Sequence, residues 1–340
     1  MLNFLKTMDR FILFLIATVI LASVLPCRGQ TAVVMGYVTD FAIALLFFLH
    51  GAKLSRQAVI AGIGHWRLHL VVLTATFILY PILGLGTRWV MGPFVDDIIL
   101  AGVLYLCLLP STVQSSIAFT AIAGGNVPAA ICSATLSNLL GILITPLLVH
   151  MAMDTGGGGS GQGPGALDAI KGISVQLLLP FVLGHLCRPL LTGLLNRLKN
   201  VMFIVDRGSI LLVVYTAFSA AVVGGIWGKL TGADLAWVVV LDAAILATLV
   251  ATTVFGGKAL GFSREDRISI VFCGSKKSLL TGVPMAGVLF PAPMVGALIL
   301  PLMLYHQIEL MLCAVLARRY GAETERIAAA VAKTETAAVD

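Results

Sequence analysis

Long apolar runs, separated by short polar segments, cover almost the whole chain. Each run has about 17 to 27 residues, which at about 1.5 Å per helical residue is enough to cross the hydrocarbon core of a bilayer. The pattern therefore predicts an all-α membrane protein with ten transmembrane helices. The predicted spans lie near residues 11–27, 33–52, 67–89, 97–123, 128–151, 169–187, 208–227, 234–256, 267–289 and 294–317.

A glycine-rich stretch at residues 154–167 divides these spans into two sets of five. Its sequence, D-T-G-G-G-G-S-G-Q-G-P-G-A-L, is typical of a flexible linker. Because five is an odd number, the second set enters the membrane from the opposite face, and homologous halves would form an inverted 5+5 repeat, as in many secondary transporters. We expect one repeat at 1–153 and a second at 168–318. A cytoplasmic tail is expected at 319–340. Its part after Tyr320 has helical propensity but no wide apolar face, and is expected to be frayed or disordered.

The ninth apolar run contains two adjacent lysines near the predicted midplane of the membrane. Each of Lys276 and Lys277 costs about 2.5–3.5 kcal/mol at that depth on insertion scales. Side chains at neighbouring positions of a helix point about 100° apart, so both cannot face one partner unless the helix is broken. Gly274 before the lysines, with Gly282 and Pro284 after them, would permit a break. We therefore predict a discontinuous helix whose unwound middle forms a polar site.

The fourth run has a matching interruption at Pro110–Ser116. Its sequence V-Q-S-S-I-A-F-T (Val113–Thr120) occupies the place that S-K-K-S-L-L-T (Ser275–Thr281) takes in the ninth run. Paired interruptions in corresponding spans indicate a transporter's binding site, since broken helices present unpaired N–H and C=O groups to anions and cations. The residues predicted to bind substrate or ion are Gln114, Ser115, Ser116, Ser275, Lys276, Lys277 and Ser278.

Composition and charge agree with a membrane protein. The chain is 59% apolar and 11% charged, with a mean hydropathy of +1.02, whereas soluble domains carry about 25% charged residues. Of the 22 Lys and Arg residues, most lie on the side of the N-terminus, and the opposite side has only Arg28, Arg88, Lys171 and Lys229. Positive loops stay inside, so both termini are predicted to be cytoplasmic. The formal charge of +6 does not require a nucleic-acid partner.

Other classes of chemistry have little support in the sequence. The six cysteines show no C-x-x-C and no metal-ligand spacing, so we expect small buried apolar residues rather than a redox or zinc site. The enzyme motifs H-E-x-x-H and G-x-S-x-G are absent, and the histidines are scattered. The sequence therefore favours a protein that is not an enzyme, with no cofactor and no metal beyond sodium as a coupling ion.

Four stretches of the chain resemble the bile acid–sodium symporter superfamily, and most closely its bacterial bile acid symporter-like branch. The resemblance implies ten helices in an inverted repeat, with spans 1, 2, 6 and 7 as a panel and spans 3–5 and 8–10 as a core. In that core the broken fourth and ninth helices cross, and sodium-coupled members bind two sodium ions behind the crossing. The stretches are Ala42–Arg56, Leu106–Thr120, Ala123–Val127 and Val271–Leu279.

The resemblance also implies supporting ligands, and one departure affects the coupling ion. Sodium-coupled members have a carboxylate near the position of Phe272 and amides at the two lysine positions. A fixed ammonium at 4 Å from sodium costs about 4 kcal/mol at an effective dielectric of 20, so sodium coupling, proton coupling and a lysine in place of the ion all stay open. Asp242 and Glu309 are candidate partners of the lysines. The implied supporting residues are Thr76, Ser133, Thr135, Ser137, Asn138 and Cys273.

We therefore predict a secondary transporter in a bacterial inner membrane that moves a small organic solute, expected to be anionic, by alternating access. The hydroxyl groups would bind ion or substrate, and the lysines would serve as anion anchors or replace an ion. The alternatives are a channel or a non-transporting regulatory membrane protein of the same fold. The expected partners are the solute and the lipid bilayer, and the sequence does not indicate the oligomeric state.

Overall fold

The computed structural model describes residues 10–53, 65–153, 166–197, 199–225 and 231–337. These residues form helices joined by short turns, and no strand occurs among them. The all-α prediction is confirmed for this part of the chain. The predicted linker lies outside the described residues except for its last two positions, which begin a helix.

The described residues before position 154 form seven α-helices and one π-helical turn. Polar residues cap two of the helices: Asp96 accepts the Ile98 N–H at 2.9 Å, and Asn126 accepts the Ala129 N–H at 3.1 Å. The elements are α1 (Arg10–Val24), α2 (Gln30–Lys53), α3 (Trp66–Thr74), the π-turn (Ala75–Leu79), α4 (Tyr80–Met91), α5 (Asp97–Leu108), α6 (Gln114–Ile122) and α7 (Val127–Ala152).

The second half of the described chain contains six further helices. Thr231 and Asp234 form a reciprocal capping box at the start of the third of them. Ser263 caps the fourth by accepting the Asp266 N–H at 3.2 Å. The helices are α8 (Ala166–Arg197), α9 (Lys199–Val223), α10 (Gly232–Ala259), α11 (Arg264–Gly274), α12 (Leu279–Leu289) and α13 (Ala292–Ala337).

Six helices within the described residues are long and apolar enough to cross a membrane by themselves, so the chain is a multi-pass membrane protein. Helices or pairs of short helices lie at all ten predicted spans. That all ten cross the bilayer as two inverted sets of five stays a prediction. The six segments are Gln30–Ala52, Trp66–Met91, Val127–Ala152, Val201–Val223, Gly232–Ala259 and Ala292–Ile327.

The fourth predicted span is divided into α5 and α6. Leu109, which follows α5, is extended, with φ −80° and ψ 156°. The cause is Pro110, because a proline disfavours the helical conformation of the residue before it. Helix resumes at Gln114. We name residues 109–113 the first break.

The ninth predicted span is divided into α11 and α12. The helix ends at Gly274, and Ser278 starts the next one by accepting the Thr281 N–H through its hydroxyl oxygen at 3.2 Å. We name residues 275–278 the second break. Both midplane lysines lie in this non-helical segment.

Gly282 and Pro284 do not form part of the second break, contrary to the prediction. Both lie inside α12. A β-carbon on Gly282 would stand 2.4 Å from Leu109 Cδ1, so this glycine lets α12 approach the first break closely. The break itself arises from the four residues after Gly274.

α2 and α8 pack more extensively on each other than any other two helices, and α9 packs on α1 and α2. Two glycines allow the contact between α2 and α8. A β-carbon on Gly51 would stand 1.9 Å from Phe181 O, and one on Gly184 would stand 1.9 Å from Phe48 O. The two backbones therefore touch directly, as small residues permit in membrane helices.

The predicted disorder of the chain after Tyr320 is wrong for the part that the structure describes. α13 continues without interruption as far as Ala337. Polar bonds, rather than a wide apolar face, hold the start of this extension as far as Thr324.

The extension of α13 binds the adjoining ends of α6 and α11. Arg264, the first residue of α11, donates to Tyr320 O at 2.9 Å, Thr324 Oγ1 at 2.7 Å and the Glu323 carboxylate at 3.2 Å. Thr324 Oγ1 in turn donates to Ala123 O at 3.0 Å, at the end of α6. The last helix thus ties the two interrupted spans together at this end of the molecule.

Candidate functional site

The two breaks lie against each other and are joined by hydrogen bonds. These bonds satisfy main-chain groups that interrupted helices leave without intrahelical partners, and that lipid could not satisfy. The bonds are Ser111 Oγ to Cys273 O (2.6 Å), Thr112 Oγ1 to Lys277 O (2.7 Å), Ser116 Oγ to Phe272 O (2.8 Å) and Ser278 N to Pro110 O (2.9 Å).

α7 supports the crossing from one side. The Ser137 hydroxyl oxygen accepts the Ser111 N–H at 3.0 Å, and the Asn138 amide donates to Ser111 O. The amide oxygen of Asn138 accepts from Thr281 Oγ1 at 2.7 Å. Asn138 therefore bridges the first break to α12, so the predicted supporting residues Ser137 and Asn138 position the site.

Lys277 is fully buried, and its ammonium is held by main-chain oxygens. Nζ donates to Thr76 O at 3.0 Å, Cys107 O at 2.9 Å and Leu109 O at 2.6 Å. It also lies 3.9 Å from the ring centroid of Tyr80, at a distance typical of a cation–π contact. We name the three carbonyl groups the carbonyl cage.

Local sequence explains why these carbonyl groups are free to bind Lys277. In an α-helix the carbonyl of Thr76 would accept the Tyr80 N–H, but in the π-turn Tyr80 N–H bonds to Ala75 O instead. The next possible donor is Pro81, which has no N–H. The other two carbonyls of the cage lie at the C-terminal end of α5, where the last carbonyls have no helical partner.

Lys276 has different neighbours. Its Nζ lies 3.2 Å from Glu309 Oε1, donates to Ser115 Oγ at 3.0 Å and lies 4.4 Å from the ring centroid of Phe119. The second carboxylate oxygen of Glu309 accepts the Lys277 main-chain N–H at 3.0 Å. Both side chains of the pair are fully buried. We name Lys276, Glu309 and Ser115 the ion-pair site.

A chain of polar contacts connects the cage to α13. The hydroxyls of Tyr80 and Tyr305 are 2.5 Å apart, and Tyr305 donates to Ser275 O at 3.0 Å. His306 Nδ1 lies 3.9 Å from the Oε1 of Glu309. α13 therefore contributes to the second break through both a hydroxyl and a carboxylate.

Two predicted hydroxyl groups bond to main-chain oxygens four residues earlier in the chain. Ser275 Oγ donates to Val271 O at 2.6 Å, and Thr76 Oγ1 donates to Val72 O at 2.8 Å. Thr76 thus contributes to the Lys277 environment through its carbonyl rather than through its hydroxyl. Ser278 serves as the cap of α12.

The remaining predicted residues occupy separate positions. Gln114 and Thr135 line a cavity beside the first break. Ser133 is 2.6 Å from His69 Nδ1, away from both lysines, and Cys273 Sγ lies 3.7 Å from Ala130 O. Cys273 acts at the crossing through its carbonyl, which accepts from Ser111.

The two predicted carboxylate partners of the lysines differ. Glu309 is paired with Lys276 at 3.2 Å. Asp242 is also fully buried, but neither of its oxygens has a hydrogen-bond partner among the described residues. The prediction that Asp242 pairs with a lysine is therefore wrong.

A cavity of about 250 Å³ lies between the first break, the start of α12 and the helices α2, α8 and α9. Gln114 and Ser278, at the starts of α6 and α12, line one side. The opposite side is lined by Phe47, His50, Phe181 and Asp206, with His50 Nε2 4.0 Å from an Asp206 carboxylate oxygen. Neither lysine lines this cavity.

Sequence reasoning missed the groups that hold Lys277, because they are main-chain carbonyls. Pro81 by itself would have indicated the carbonyl of Phe77, four residues earlier, and only the π-turn makes Thr76 O the carbonyl without a donor. It also missed Tyr80, Phe119 and Tyr305. Their spacing along apolar spans does not distinguish them from packing residues.

Comparison with known proteins reveals similar chains. Residues 9–322 match the model of the SBF-like CPA transporter family. "Uncharacterized protein PA2026" of Pseudomonas aeruginosa is 55% identical, over 96% of this chain and 96% of its own length. "Putative symporter YfeH" of Escherichia coli K12 is 53% identical, over 95% and 96%. "Sodium/bile acid cotransporter 7" of Danio rerio is 28% identical, over 82% of each chain.

Proposed function

The chain belongs to the SBF-like CPA transporter family, and from this membership we propose that it moves a small organic solute by alternating access at the crossing of the two breaks. The resemblance to bile acid–sodium symporters is confirmed by the family and by the named relatives. These are names of transporters rather than of enzymes. The supporting observation is a cavity lined by residues of both breaks and of α2, α8 and α9.

We propose the inverted 5+5 architecture as the basis of the movement. The repeats would comprise residues 1–153 and 168–318, joined by the linker at 154–167 and followed by the tail from 319. The packing of α2 on α8, and of α9 on α1 and α2, supports a panel, and α9 also packs on α12 and α13, so panel and core are in contact through this helix. The hydrogen bonds across the breaks support a core that moves as one body, so the solute cavity would open by movement of core against panel.

We propose that Lys277 replaces a coupling cation. One observation supports this most strongly: its Nζ is bound by three main-chain carbonyls at 2.6–3.0 Å, an arrangement suited to a dehydrated cation. A sodium ion at 4 Å from that ammonium would be repelled by about 4 kcal/mol at an effective dielectric of 20. The Danio rerio relative is named a sodium cotransporter, but for these reasons we do not propose sodium binding at the position of Lys277 in this chain.

We propose an anionic solute, bound at the starts of α6 and α12. Gln114 and Ser278 line the cavity at these helix N-termini, where main-chain N–H groups carry partial positive charge. The lysines are absent from the cavity lining, which favours the ion-replacing role over direct anchoring of the solute.

Proteoliposome uptake tests this function. The protein would be supplied with a panel of organic anions, with and without sodium and a proton gradient. We expect saturable uptake that does not require sodium. Uptake at channel rates would favour a channel, and a thermal shift with a solute but no uptake would favour a regulatory protein.

Lys277→Ala tests the role of the ammonium. The smaller side chain leaves room in the carbonyl cage for a sodium ion, so we expect uptake by this variant to become dependent on sodium. Lys277→Met is the matched control, because it removes the charge while still filling the space, and we expect it to be inactive with or without sodium. Wild-type uptake that requires sodium would contradict the proposal.

We further propose that the protein lies in a bacterial inner membrane with both termini in the cytoplasm. The excess of Lys and Arg on the N-terminal side supports this orientation. A reporter fused after Asp340 that is active only in the cytoplasm tests it. Activity of a periplasm-specific reporter at the same position would contradict it.

A further inference from the structure

Asp242 is a buried carboxyl group that the proposed site does not use. It lies near the middle of α10, its side chain has no solvent exposure, and neither oxygen has a hydrogen-bond partner among the described residues. Glu309 is equally buried but has Lys276 Nζ at 3.2 Å and the Lys277 N–H at 3.0 Å. The two acidic groups therefore have opposite electrostatic surroundings at a similar degree of burial.

An ionised carboxylate without partners is far more costly to bury than a neutral carboxyl group, and buried acids of this kind take up a proton instead. We propose that Asp242 is a proton-binding site of the transporter core, occupied in this conformation. Taking up one proton converts the carboxylate into the neutral acid, and releasing it restores the negative charge.

The helices around α10 contain other ionisable groups, and none of them forms a hydrogen bond with Asp242. α10 packs against α4, α5, α11 and α13. Away from the ends of the predicted spans, the ionisable groups on these four helices are Tyr80, Tyr105, Cys107, Cys273, Tyr305, His306, Glu309 and Cys313.

The proton site does not depend on the proposed function, because the burial of Asp242 and the lack of hydrogen-bond partners for its oxygens among the described residues do not involve a transported solute.

Infrared difference spectroscopy on the purified full-length protein in nanodiscs at neutral pH tests the proton site. We expect the spectrum of wild type minus Asp242→Asn to contain the carbonyl band of a protonated carboxyl group. Asp234→Asn is the matched control on the same helix. Asp234 accepts two hydrogen bonds from Thr231 at 2.7 Å, so its difference spectrum should contain carboxylate bands only.

The melting temperature provides a second readout. A native state that keeps a proton which the unfolded chain releases above about pH 4 loses stability as the pH rises. Between about pH 5 and about pH 9, wild type and Asp234→Asn should therefore lose more thermal stability than Asp242→Asn. If Asp242→Asn does not fold, Asp242→Leu replaces it in both the infrared and the melting measurements.

Carboxylate bands alone in the Asp242 difference spectrum, or an unchanged pH slope in Asp242→Asn, would overturn the inference. Neither readout needs a transported solute, so their outcome is independent of the uptake experiments. Once a solute is found, uptake by Asp242→Asn should lose the pH dependence that wild type and Asp234→Asn share. Uptake with an unchanged pH profile would remove the link to transport.

Discussion

Lys276 and Lys277 are adjacent in sequence and equally buried, yet the carbonyl cage and the ion-pair site hold them in different ways. Lys277 Nζ binds three neutral main-chain oxygens, and Lys276 Nζ lies beside a carboxylate, a hydroxyl and an aromatic ring. The cage is a cation site built from backbone and filled by the protein itself. The ion-pair site depends on the charges of two side chains.

This difference determines how each region can change during transport. The three carbonyls of the cage carry no charge and do not titrate, so the only titratable group of the cage is the Lys277 ammonium itself. The ion-pair site loses its attraction when either partner becomes neutral, because the remaining charge is then buried without compensation. The charge at the cage therefore depends on one side chain, and the balance of charge at the ion-pair site depends on two.

Removal of the cage cation should have the largest effect on stability. Lys277→Met leaves three buried carbonyls without a donor, and each unsatisfied group costs about 1–3 kcal/mol. We expect a loss of about 3–9 kcal/mol in the free energy of unfolding, with no response to sodium, measured by thermal melting in detergent. A variant within about 1 kcal/mol of wild type would show that the cage does not depend on its ammonium.

Disruption of the ion-pair site should have the next largest effect. Glu309→Ala leaves Lys276 Nζ and the Lys277 main-chain N–H without their acceptor, at a cost of about 3–5 kcal/mol. The double variant with Lys276→Met removes the isolated charge, and we expect it to regain most of the lost melting temperature. If the double variant were less stable than Glu309→Ala, the two side chains would not act as a pair.

A change beside the cage that keeps its cation should have the smallest effect. Tyr80→Phe preserves the ring 3.9 Å from Lys277 Nζ but removes the bond between the Tyr80 and Tyr305 hydroxyls. We expect a loss of about 0.5–1.5 kcal/mol by thermal melting. The sodium response of uptake should stay that of wild type, and a new dependence on sodium would mean that the hydroxyl helps to retain the ammonium.

The positions of the helices could be predicted from the long apolar runs. The second break could be predicted because two lysines within an apolar span have a high energetic cost. The residues that allow the break could be predicted only in part. Gly274 ends α11, but Gly282 and Pro284 lie inside α12. A glycine or proline permits several local structures, and the choice between them depends on Leu109, a residue distant in sequence that packs on Gly282.

The partners of the lysines were predictable where they are charged side chains and unpredictable where they are backbone groups. Glu309 stood out as an acid within an apolar span, and it is paired with Lys276. Asp242 stood out for the same reason, but its oxygens have no hydrogen-bond partner among the described residues. The sequence could not show this because it does not indicate which face of α10 meets the breaks. The carbonyl cage depends on the π-turn and on where α5 ends, and neither is encoded by residue type alone.

The length of α13 gives an experimental handle on the motion of the core. Arg264 and Thr324 join α13 to the ends of α6 and α11, and beyond Thr324 the helix continues for another 13 residues to Ala337, about 20 Å at the helical rise. A small rotation of α13 at the crossing would therefore displace its far end by a larger distance. A pair of spin labels, one near Ala337 and one on α2, would convert a tilt too small to resolve at the breaks into a measurable change in distance.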